Sequence, residues 1–319
     1  MSKIEKKLDY KDKIKNHFNK LAPEREAWIK KSGAFYSEDI RCMKELIIPN
    51  SKVLEIGCGN GNLLASLSPS VGVGVDISKE MISKAKSKYK NLEFIEDDIE
   101  DTGCVKNLNK VFDFIIISDT IGYFKDIQKT LDMLHKVCNA DTRIIVAYYS
   151  PFWEPILNLA ARIKLKMPEL TKALLNETDI SSLLNSSKFE TVKKQKKIIL
   201  PFKLFGVGRF VNRFLSCLPI LSNLCIRNYV IARSLKAIAK DLPTSASVII
   251  PCRNEKGNIK NALNRLPLFT KEIEVIFVEG HSQDGTWEEV NKVINDKNFI
   301  RKGFKMTAIQ QQGVGKADA

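Results

Sequence analysis

The stretch that decides the fold is V-L-E-I-G-C-G-N-G-N-L-L, residues 53–64. It begins as a short, mainly apolar strand and ends as the start of a helix. Gly57, Gly59 and Gly61 occupy the turn between them, where residues without a Cβ let the backbone bend sharply and approach a ligand. The free N–H groups of the following helix would face the same ligand. The stretch therefore predicts a strand, a ligand-binding loop and a helix.

Outward from this loop, strands alternate with helices. Short apolar runs predict strands at Val53–Ile56, Val71–Val75, Leu92–Ile95, Phe112–Ile117 and Arg143–Tyr148. Helical spacing and the N-cap residue Ser78 predict helices at Asn62–Leu67, Lys79–Tyr89 and Ile127–Cys138. This β-α-β-α order predicts an α/β fold with a doubly wound, mainly parallel sheet.

The composition sets limits on size and location. The chain has 319 residues, 51 Lys+Arg and 37 Asp+Glu, which gives a net charge of +14 and a length typical of about two domains. The sequence has no run of about 18 apolar residues, so no membrane-spanning helix is predicted. The N-terminus is polar and lacks the apolar stretch of a secretory signal. Seven scattered cysteines fit a reducing compartment better than a disulfide or zinc framework. We expect a cytoplasmic protein, with peripheral attachment to the inner face of the membrane as an alternative.

The pattern changes twice along the chain. Residues 1–45 read as charged helix, broken at Pro23 and near Ser32–Gly33, and residues 46–240 carry the alternating pattern. After a linker-like stretch, residues 246–319 begin a second α/β unit with room for two or three strands. Its predicted elements are strands Ser247–Ile250 and Glu274–Val278 and helices Asn258–Leu266 and Thr286–Asn295.

The acid at the end of the second strand, Asp76, lies 15 residues after Gly61 and could accept both hydroxyls of a ribose. A dinucleotide-binding loop prefers G-x-G-x-x-G, whereas this loop is G-x-G-x-G and follows Glu55. A carboxylate there would repel a pyrophosphate. It suits a ligand that carries an ammonium group and a sulfonium, such as S-adenosylmethionine.

Four blocks of the sequence resemble class I S-adenosylmethionine-dependent methyltransferases, over about residues 15–235 and in the family's order. They are VLEIGCGNGNLL, VGVGVDIS, LEFIEDDIED and FDFIIISDTIGYFKD. The resemblance implies a Rossmann-like sheet and S-adenosylmethionine as cofactor. It also assigns roles: close backbone approach at Gly57, Gly59 and Gly61, the methionine amino group near Glu55, the ribose at Asp76, the adenine at Ile77, Asp98 and Ile99, and the methionine end near Ser118 and Asp119.

Other interpretations stay open for several of these residues. Asp76 could be a helix-capping acid, and Asp98 could be solvated, with the adenine contact made by Asp97 instead. No residue is assigned as general base, and the catalytic residue is unknown. Asp119 and Tyr123 are candidates, with an N-cap role and core packing as their alternatives.

The segment that follows the fifth strand could border the acceptor site. The string Tyr148–Pro155 could line the acceptor site or form a surface loop, and it resembles the same region of methyltransferases fused to glycosyltransferases.

A second segment is strongly basic: residues 188–240 hold 12 Lys/Arg and one acid, a net charge of +11. This segment could be a cap between two last antiparallel strands, Thr191–Leu200 and Tyr229–Leu235, or a contact with an anionic bilayer or lipid-linked acceptor. The acceptor could be a small molecule, a glycan or a lipid-linked compound, and no motif for reading nucleic acid is present.

The second unit resembles the start of family 2 glycosyltransferases of the GT-A fold, in ASVIIPCRNEKGNI, VIFVEGHSQDGTWEE and the final Q-G-V-G-K-A-D. The resemblance implies a nucleotide-sugar site lined by Pro251, Arg253, Glu255, Glu279 and Lys316.

Two departures from that family limit the expected activity. Glu279-Gly280 replaces the usual Asp-Asp pair, and the family's D-x-D motif for a divalent metal does not occur before the end of this sequence. We therefore expect an incomplete unit that transfers no sugar by itself and binds metal only if that part is supplied. Two alternatives stay open: an assembly or binding module completed in trans, and a cofactor-binding domain without catalysis.

Overall fold

The computed structural model describes residues 9–170, 172–202, 207–214, 218, 221–240, 245–270, 272–300 and 303–313. The chain folds as two compact units, residues 1–240 and 241–319. The charged N-terminal helices belong to the first unit. No helix of the described ranges combines the length and the hydropathy needed to cross a bilayer.

The first unit is built on a seven-stranded mixed sheet. Its strands are β1 Lys52–Ile56, β2 Val71–Asp76, β3 Glu93–Glu96, β4 Phe114–Ser118, β5 Arg143–Tyr149, β6 Phe189–Lys197 and β7 Arg227–Ser234. Their spatial order is β3-β2-β1-β4-β5-β7-β6. Pairing is parallel from β3 to β5, and β7 runs antiparallel to both β5 and β6. The predicted doubly wound sheet and its two last antiparallel strands are confirmed.

Ten helices of the described ranges surround or extend this sheet, and most are short. They are α1 Tyr10–Leu21, α2 Arg25–Lys31, α3 Gly33–Leu46, α4 Asn62–Ser66, α5 Lys79–Lys88, α6 Thr102–Leu108, α7 Ile127–Leu134, α8 Glu154–Arg162, α9 Glu177–Ser186 and α10 Val207–Phe214. A six-residue helix, α11 Leu235–Lys240, follows β7. The break predicted at Pro23 is a 3-10 turn, Ala22–Glu24, and Ser32 separates α2 from α3.

Burial on both faces explains why the central strands read as continuous apolar runs. On β4, Ile115 and Ile117 pack into one hydrophobic cluster while Phe114 and Ile116 pack into another on the opposite face. A strand covered by helices on both sides has no solvent face, so polar alternation disappears. The sheet's carboxyl edge is thereby held rigid, and the loops that leave it are positioned by the core.

The second unit has a three-stranded parallel sheet of order β10-β9-β8. Its elements are β8 Ser245–Cys252, α12 Ile259–Arg265, β9 Glu272–Glu279, α13 Thr286–Ile294, α14 Lys297–Ile300 and β10 Phe304–Gln310. Both predicted strands and both predicted helices are present. The sequence analysis missed β10, although Phe304, Met306 and Ala308 alternate toward the core as a strand should.

Candidate functional site

A cavity of about 420 Å³ lies at the carboxyl ends of β1, β2 and β4, the edge where ligands of doubly wound sheets bind. Of the residues predicted to hold a cofactor, those that line the cavity are Gly57, Gly59, Asp76, Ile77, Asp98, Ile99 and Ser118, and the catalytic candidates Asp119 and Tyr123 line it too. Glu55 and Gly61 do not. The sheet topology thus brings together residues from four separate stretches of sequence.

The glycine loop adopts a backbone that only glycine takes without strain. Gly57, Gly59 and Gly61 have φ values of +72°, +52° and +77°. A Cβ on Gly57 would lie 2.0 Å from Oγ1 of Thr120, and a Cβ on Gly61 would lie 2.6 Å from the Phe94 ring. A Cβ on Gly59 would meet no atom within 4 Å. Gly57 and Gly61 are therefore required for packing, whereas Gly59 leaves open space beside the cavity, as close approach by a ligand requires.

The alanine variants of Gly57 and Gly59 separate these two roles. Gly57→Ala should destabilise the fold by about 2–4 kcal/mol, because the loop after β4 must move and the positive φ is strained. Gly59→Ala carries only the strain, about 1 kcal/mol, but its methyl group would occupy ligand space. Urea unfolding of both variants measures the difference. Equal destabilisation by the two substitutions would contradict this division.

Asp76 is the acid of the site. One carboxylate oxygen accepts the N–H of Gly59 (2.8 Å) and the other accepts the N–H of Ser78 (2.8 Å). Burial raises the pKa of Asp76 above its ordinary value, while those two backbone hydrogen bonds favour the carboxylate. Ser78 itself caps α5 through the N–H of Met81, so capping is done by the serine hydroxyl. The carboxylate is fixed in place at the cavity wall.

Glu55 lies behind the glycine loop, where its carboxyl accepts the N–H of Leu64 (3.0 Å) in the first turns of α4. The residue is only 3% exposed, and burial raises the pKa of Glu55 to about 8. Glu55 thus does not line the cavity, and its place near the ligand's ammonium group stays a prediction. Because side chains of β1 alternate between two buried faces of the sheet, Ile56 packs into one hydrophobic cluster and Glu55 lies on the other face, against α4.

Glu55 should make stability depend on pH. Its ordinary pKa is 4.5 and its folded-state pKa is about 8, so its contribution is complete below pH 4.5 and is lost as the pH rises through about 8. We expect the wild type to lose a few kcal/mol more than Glu55→Gln between about pH 5 and about pH 8.5, because a neutral amide does not titrate. Urea unfolding at both pH values measures it, with Glu93→Gln, an exposed partner of Lys110, as the control. Identical losses in wild type and Glu55→Gln would refute the assignment.

Asp98 is held by the N-terminal helices. Lys11 of α1 donates to its carboxylate at 3.0 Å, and Glu100 donates its backbone N–H to the same oxygen, also at 3.0 Å. Asp97 lines the cavity as well, so the choice between Asp97 and Asp98 for an adenine contact stays open.

A buried arginine organises the other end of the cavity. Arg227, on β7, is fully buried and donates from Nε and Nη2 to the two carboxylate oxygens of Asp39 (3.0 and 3.2 Å). It also donates from Nη1 to Asp119 (2.5 Å) and from Nη2 to Ser118 (2.7 Å). Tyr229 donates its hydroxyl to Asp39. Arg227 thereby fixes Ser118, the last residue of β4, and Asp119, which follows it with a strained φ of +56°.

Residues of the N-terminal helices α1, α2 and α3 form part of the cavity wall, which the sequence analysis did not predict. Arg25 and Tyr36 line it, and Nη1 of Arg25 donates to the Tyr36 hydroxyl (3.3 Å) and lies 3.2 Å from Sδ of Met167. Among the described residues, Arg25 has no carboxylate within ion-pair distance. It is thus a cation available to an anionic group of a ligand.

A second charged group borders the cavity between α8 and α9. Glu169 pairs with Lys166 and, at 2.7 Å, with Lys172. Although burial opposes ionisation, the two lysines hold the pKa of Glu169 at about 2. The ammonium groups of Lys166 and Lys172 also lie 4.9 Å and 5.5 Å from the ring centres of Tyr149 and Tyr123. The aromatic rings of Tyr149 and Tyr123 and the ion pairs of Glu169 thus form one side of the cavity, which these contacts hold in place.

Tyr123 is poorly suited to act as a base. Its hydroxyl faces the Leu170 carbonyl at 3.4 Å, and burial raises its pKa further above the ordinary value, so the phenol keeps its proton. Within the stretch 148–155, Tyr149 lines the cavity, whereas Phe152 is 67% exposed. The wall predicted there is thus made mainly by Tyr149 and by residues further along the chain.

His135 serves the core. Its Nδ1 lies 2.7 Å from the Ser234 hydroxyl and its Nε2 lies 2.7 Å from the Ser187 carbonyl, while the ring stacks on Phe189.

In the second unit, the loops after β8 and β9 are joined by hydrogen bonds. Asn254 donates its N–H to Ser282 and Glu255 donates its N–H to Thr286, both at 2.8 Å. The buried Glu279 carboxylate accepts the N–H of Ser282. Pro251, Arg253 and Glu255 are exposed at this edge, and Lys316 lies outside the described residues.

Comparisons with known proteins agree with this architecture. Residues 47–202 match a family model described as a methyltransferase domain, and residues 247–319 match glycosyl transferase family 2. A demethylmenaquinone methyltransferase from Chlorobaculum tepidum is 32% identical over 94 residues, 27% of this chain and 36% of that one. This chain spans about a quarter and about a third of the lengths of the two curated relatives that it matches.

Two solved structures share the fold of the first unit. A SAM-dependent methyltransferase from Thermotoga maritima superposes with a TM-score of 0.52 at 16% identity, covering 69% of this chain and 99% of that one. The magnesium protoporphyrin IX methyltransferase of Synechocystis, solved with bound SAH, gives a TM-score of 0.50 at 16% identity, covering 71% of this chain and 100% of that one. At such identities the likeness concerns the fold alone.

Proposed function

We propose that this chain, in which a class I methyltransferase domain at residues 47–202 precedes a glycosyl transferase family 2 segment at residues 247–319, transfers methyl groups from S-adenosylmethionine to a small-molecule, glycan or lipid-linked acceptor. The observation that carries the proposal is the shared cavity. Gly59, with its open space, and the fixed Asp76 carboxylate both line it, at the carboxyl edge of the sheet.

The residues present fit this cofactor. The carboxylate of Asp76 would accept the ribose hydroxyls, and Ile77 and Ile99 would contact the adenine from the two neighbouring strands. Arg25 would pair with the methionine carboxylate, because its guanidinium borders the same cavity without a carboxylate partner among the described residues. The cavity, about 420 Å³, falls within the roughly 300–1,000 Å³ typical of ligand pockets.

Bound S-adenosylmethionine would supply a methyl group activated by its sulfonium, so the protein's main task is to align the acceptor and exclude water. The N-terminal helices cover the cavity, and the wall of Tyr149, Lys166 and Glu169 borders the acceptor side. Asp119 is our candidate for orienting the proton-bearing group of the acceptor. Its carboxylate faces the cavity, is one-third exposed, and is held by Arg227.

For the second unit we propose a nucleotide-binding edge formed by Pro251, Arg253, Glu255 and Glu279. The hydrogen bonds between the loops after β8 and β9 support this, because they fix the edge at which such sheets bind nucleotides. Sugar transfer by this unit would need residues for metal and acceptor that we do not assign.

The experiment is methyl transfer from labelled S-adenosylmethionine to fractions of a cell extract. Label should enter one fraction with the wild type and stay at background with Asp76→Ala. Equal incorporation by wild type and variant, or none by either in any fraction, would count against the proposal.

A further inference from the structure

Helix α8 leaves an apolar stripe exposed at the edge of the cavity. Ile156 and Leu159 lie on α8, Phe152 in the 3-10 turn before it and Ile163 directly after it. Their spacings of four, three and four residues place them along one side. They are 67%, 54%, 57% and 59% exposed. A surface helix normally turns such a stripe toward the core. Here no residue of α8 is buried.

The adjoining side of the same helix borders the cavity. Leu157 and Ala160 line the cavity from α8, and Leu165 lines it just beyond the helix while remaining 54% exposed. Phe202 likewise lines the cavity and is 62% exposed. The apolar stripe is therefore continuous with the mouth of the acceptor side.

Basic residues flank the stripe. Arg162 and Lys164 are exposed at its C-terminal end, and no carboxylate of the described residues lies within ion-pair distance of either.

At the other end of the stripe, the indole N–H of Trp153 donates to the carbonyl of Leu224 (3.0 Å), and neighbouring Asn223 accepts from Lys196 of β6 (3.0 Å). These contacts connect the stripe to the segment 188–240, whose net charge is +11.

We propose that α8 docks on an anionic lipid surface, with its apolar stripe among the headgroups and upper acyl chains. An amphipathic helix with basic flanks has this chemistry, because basic side chains near an anionic surface strengthen the binding that apolar burial begins. A row of four side chains roughly 17 Å long is small for a protein interface, which needs about 800 Å² from each partner. Charge complementarity therefore favours lipid over a second protein.

The consequence concerns the acceptor. With the stripe in the interface, the mouth at Leu165 and Phe202 opens toward the bilayer, and the substrate class is a lipid or lipid-linked compound whose head reaches the cavity. This part rests on the proposed methyltransferase function, whereas the membrane contact does not.

Vesicle flotation tests the docking. The full chain should float with vesicles of phosphatidylcholine containing about one-third phosphatidylglycerol, should stay down with phosphatidylcholine alone, and should be released when NaCl rises from about 0.05 to about 0.5 M. The double variant Ile156→Glu/Leu159→Glu should bind at least tenfold more weakly. Ile48→Glu, which changes a 69%-exposed apolar residue before β1, is the matched control and should bind like the wild type.

Three results would overturn the docking proposal. These are absence of flotation by the wild type, undiminished flotation of the double variant, and a dimer in lipid-free solution that the double variant converts to a monomer. Titration of both variants with S-adenosylhomocysteine separates this proposal from the previous one. Vesicle binding without any cofactor binding would leave the docking intact and refute the methyltransferase function.

Discussion

Asp76→Ala is expected to lower the affinity for S-adenosylmethionine at least about 100-fold, because two charge-assisted hydrogen bonds to the ribose are each worth roughly 1.5–3 kcal/mol. The N–H groups of Gly59 and Ser78 already fix the carboxylate, so little side-chain conformational entropy is lost when it binds the ribose. Calorimetric titration measures the change.

The matched control is Asp113→Ala. Asp113 also accepts a backbone N–H, from Lys52 at 2.7 Å, but at the amino edge of the same sheet. It should therefore leave the affinity unchanged within about twofold while losing a comparable backbone hydrogen bond. If Asp113→Ala weakened binding as much as Asp76→Ala, the effect would be a general loss of structure and the ribose assignment would fail.

Arg227→Met is expected to destabilise the first unit by about 3–5 kcal/mol, since it leaves Asp39 buried without its counter-ion. The methionine retains much of the side-chain volume, so the charge is the main thing removed. The same substitution also frees Asp119 and Ser118, and we expect it to weaken cofactor binding. Chemical denaturation measures the first effect.

Arg233→Met is the control on the same strand. Arg233 is 40% exposed and pairs with Glu190 at 2.7 Å, a surface ion pair worth about 1 kcal/mol or less. Stabilities of the two methionine variants that agree within error would mean that the Arg227 network is not a structural centre of this unit.

The sequence contained most of the fold because each element carries a local signal. The glycine turn, the acid that ends β2 and the apolar run of β4 each predict their structure from a few neighbouring residues. Helix α9 also had such a signal, a capping box between Asn176 and Asp179, which the sequence analysis did not use.

The half of the site that was not predicted depends on tertiary contacts between distant residues. Arg227 meets Asp39 across 188 positions, and Arg25 reaches Met167 across 142. Spacing cannot reveal such pairs, because nothing in the sequence of β7 distinguishes the buried Arg227 from the exposed Arg233. Glu55 shows the converse limit. Its residue type matches the family's motif, but the motif does not reveal that its carboxyl is buried against α4 and does not line the cavity.

The central claim is that the cavity at the glycine loop binds S-adenosylmethionine, and the most direct test is calorimetric titration of the wild-type chain with S-adenosylmethionine, its demethylated product and NAD. The account predicts micromolar-range binding of the first two and none of NAD, because the loop suits a sulfonium ligand and lacks the spacing for a pyrophosphate. Binding of NAD with no measurable binding of S-adenosylmethionine or its product would contradict it.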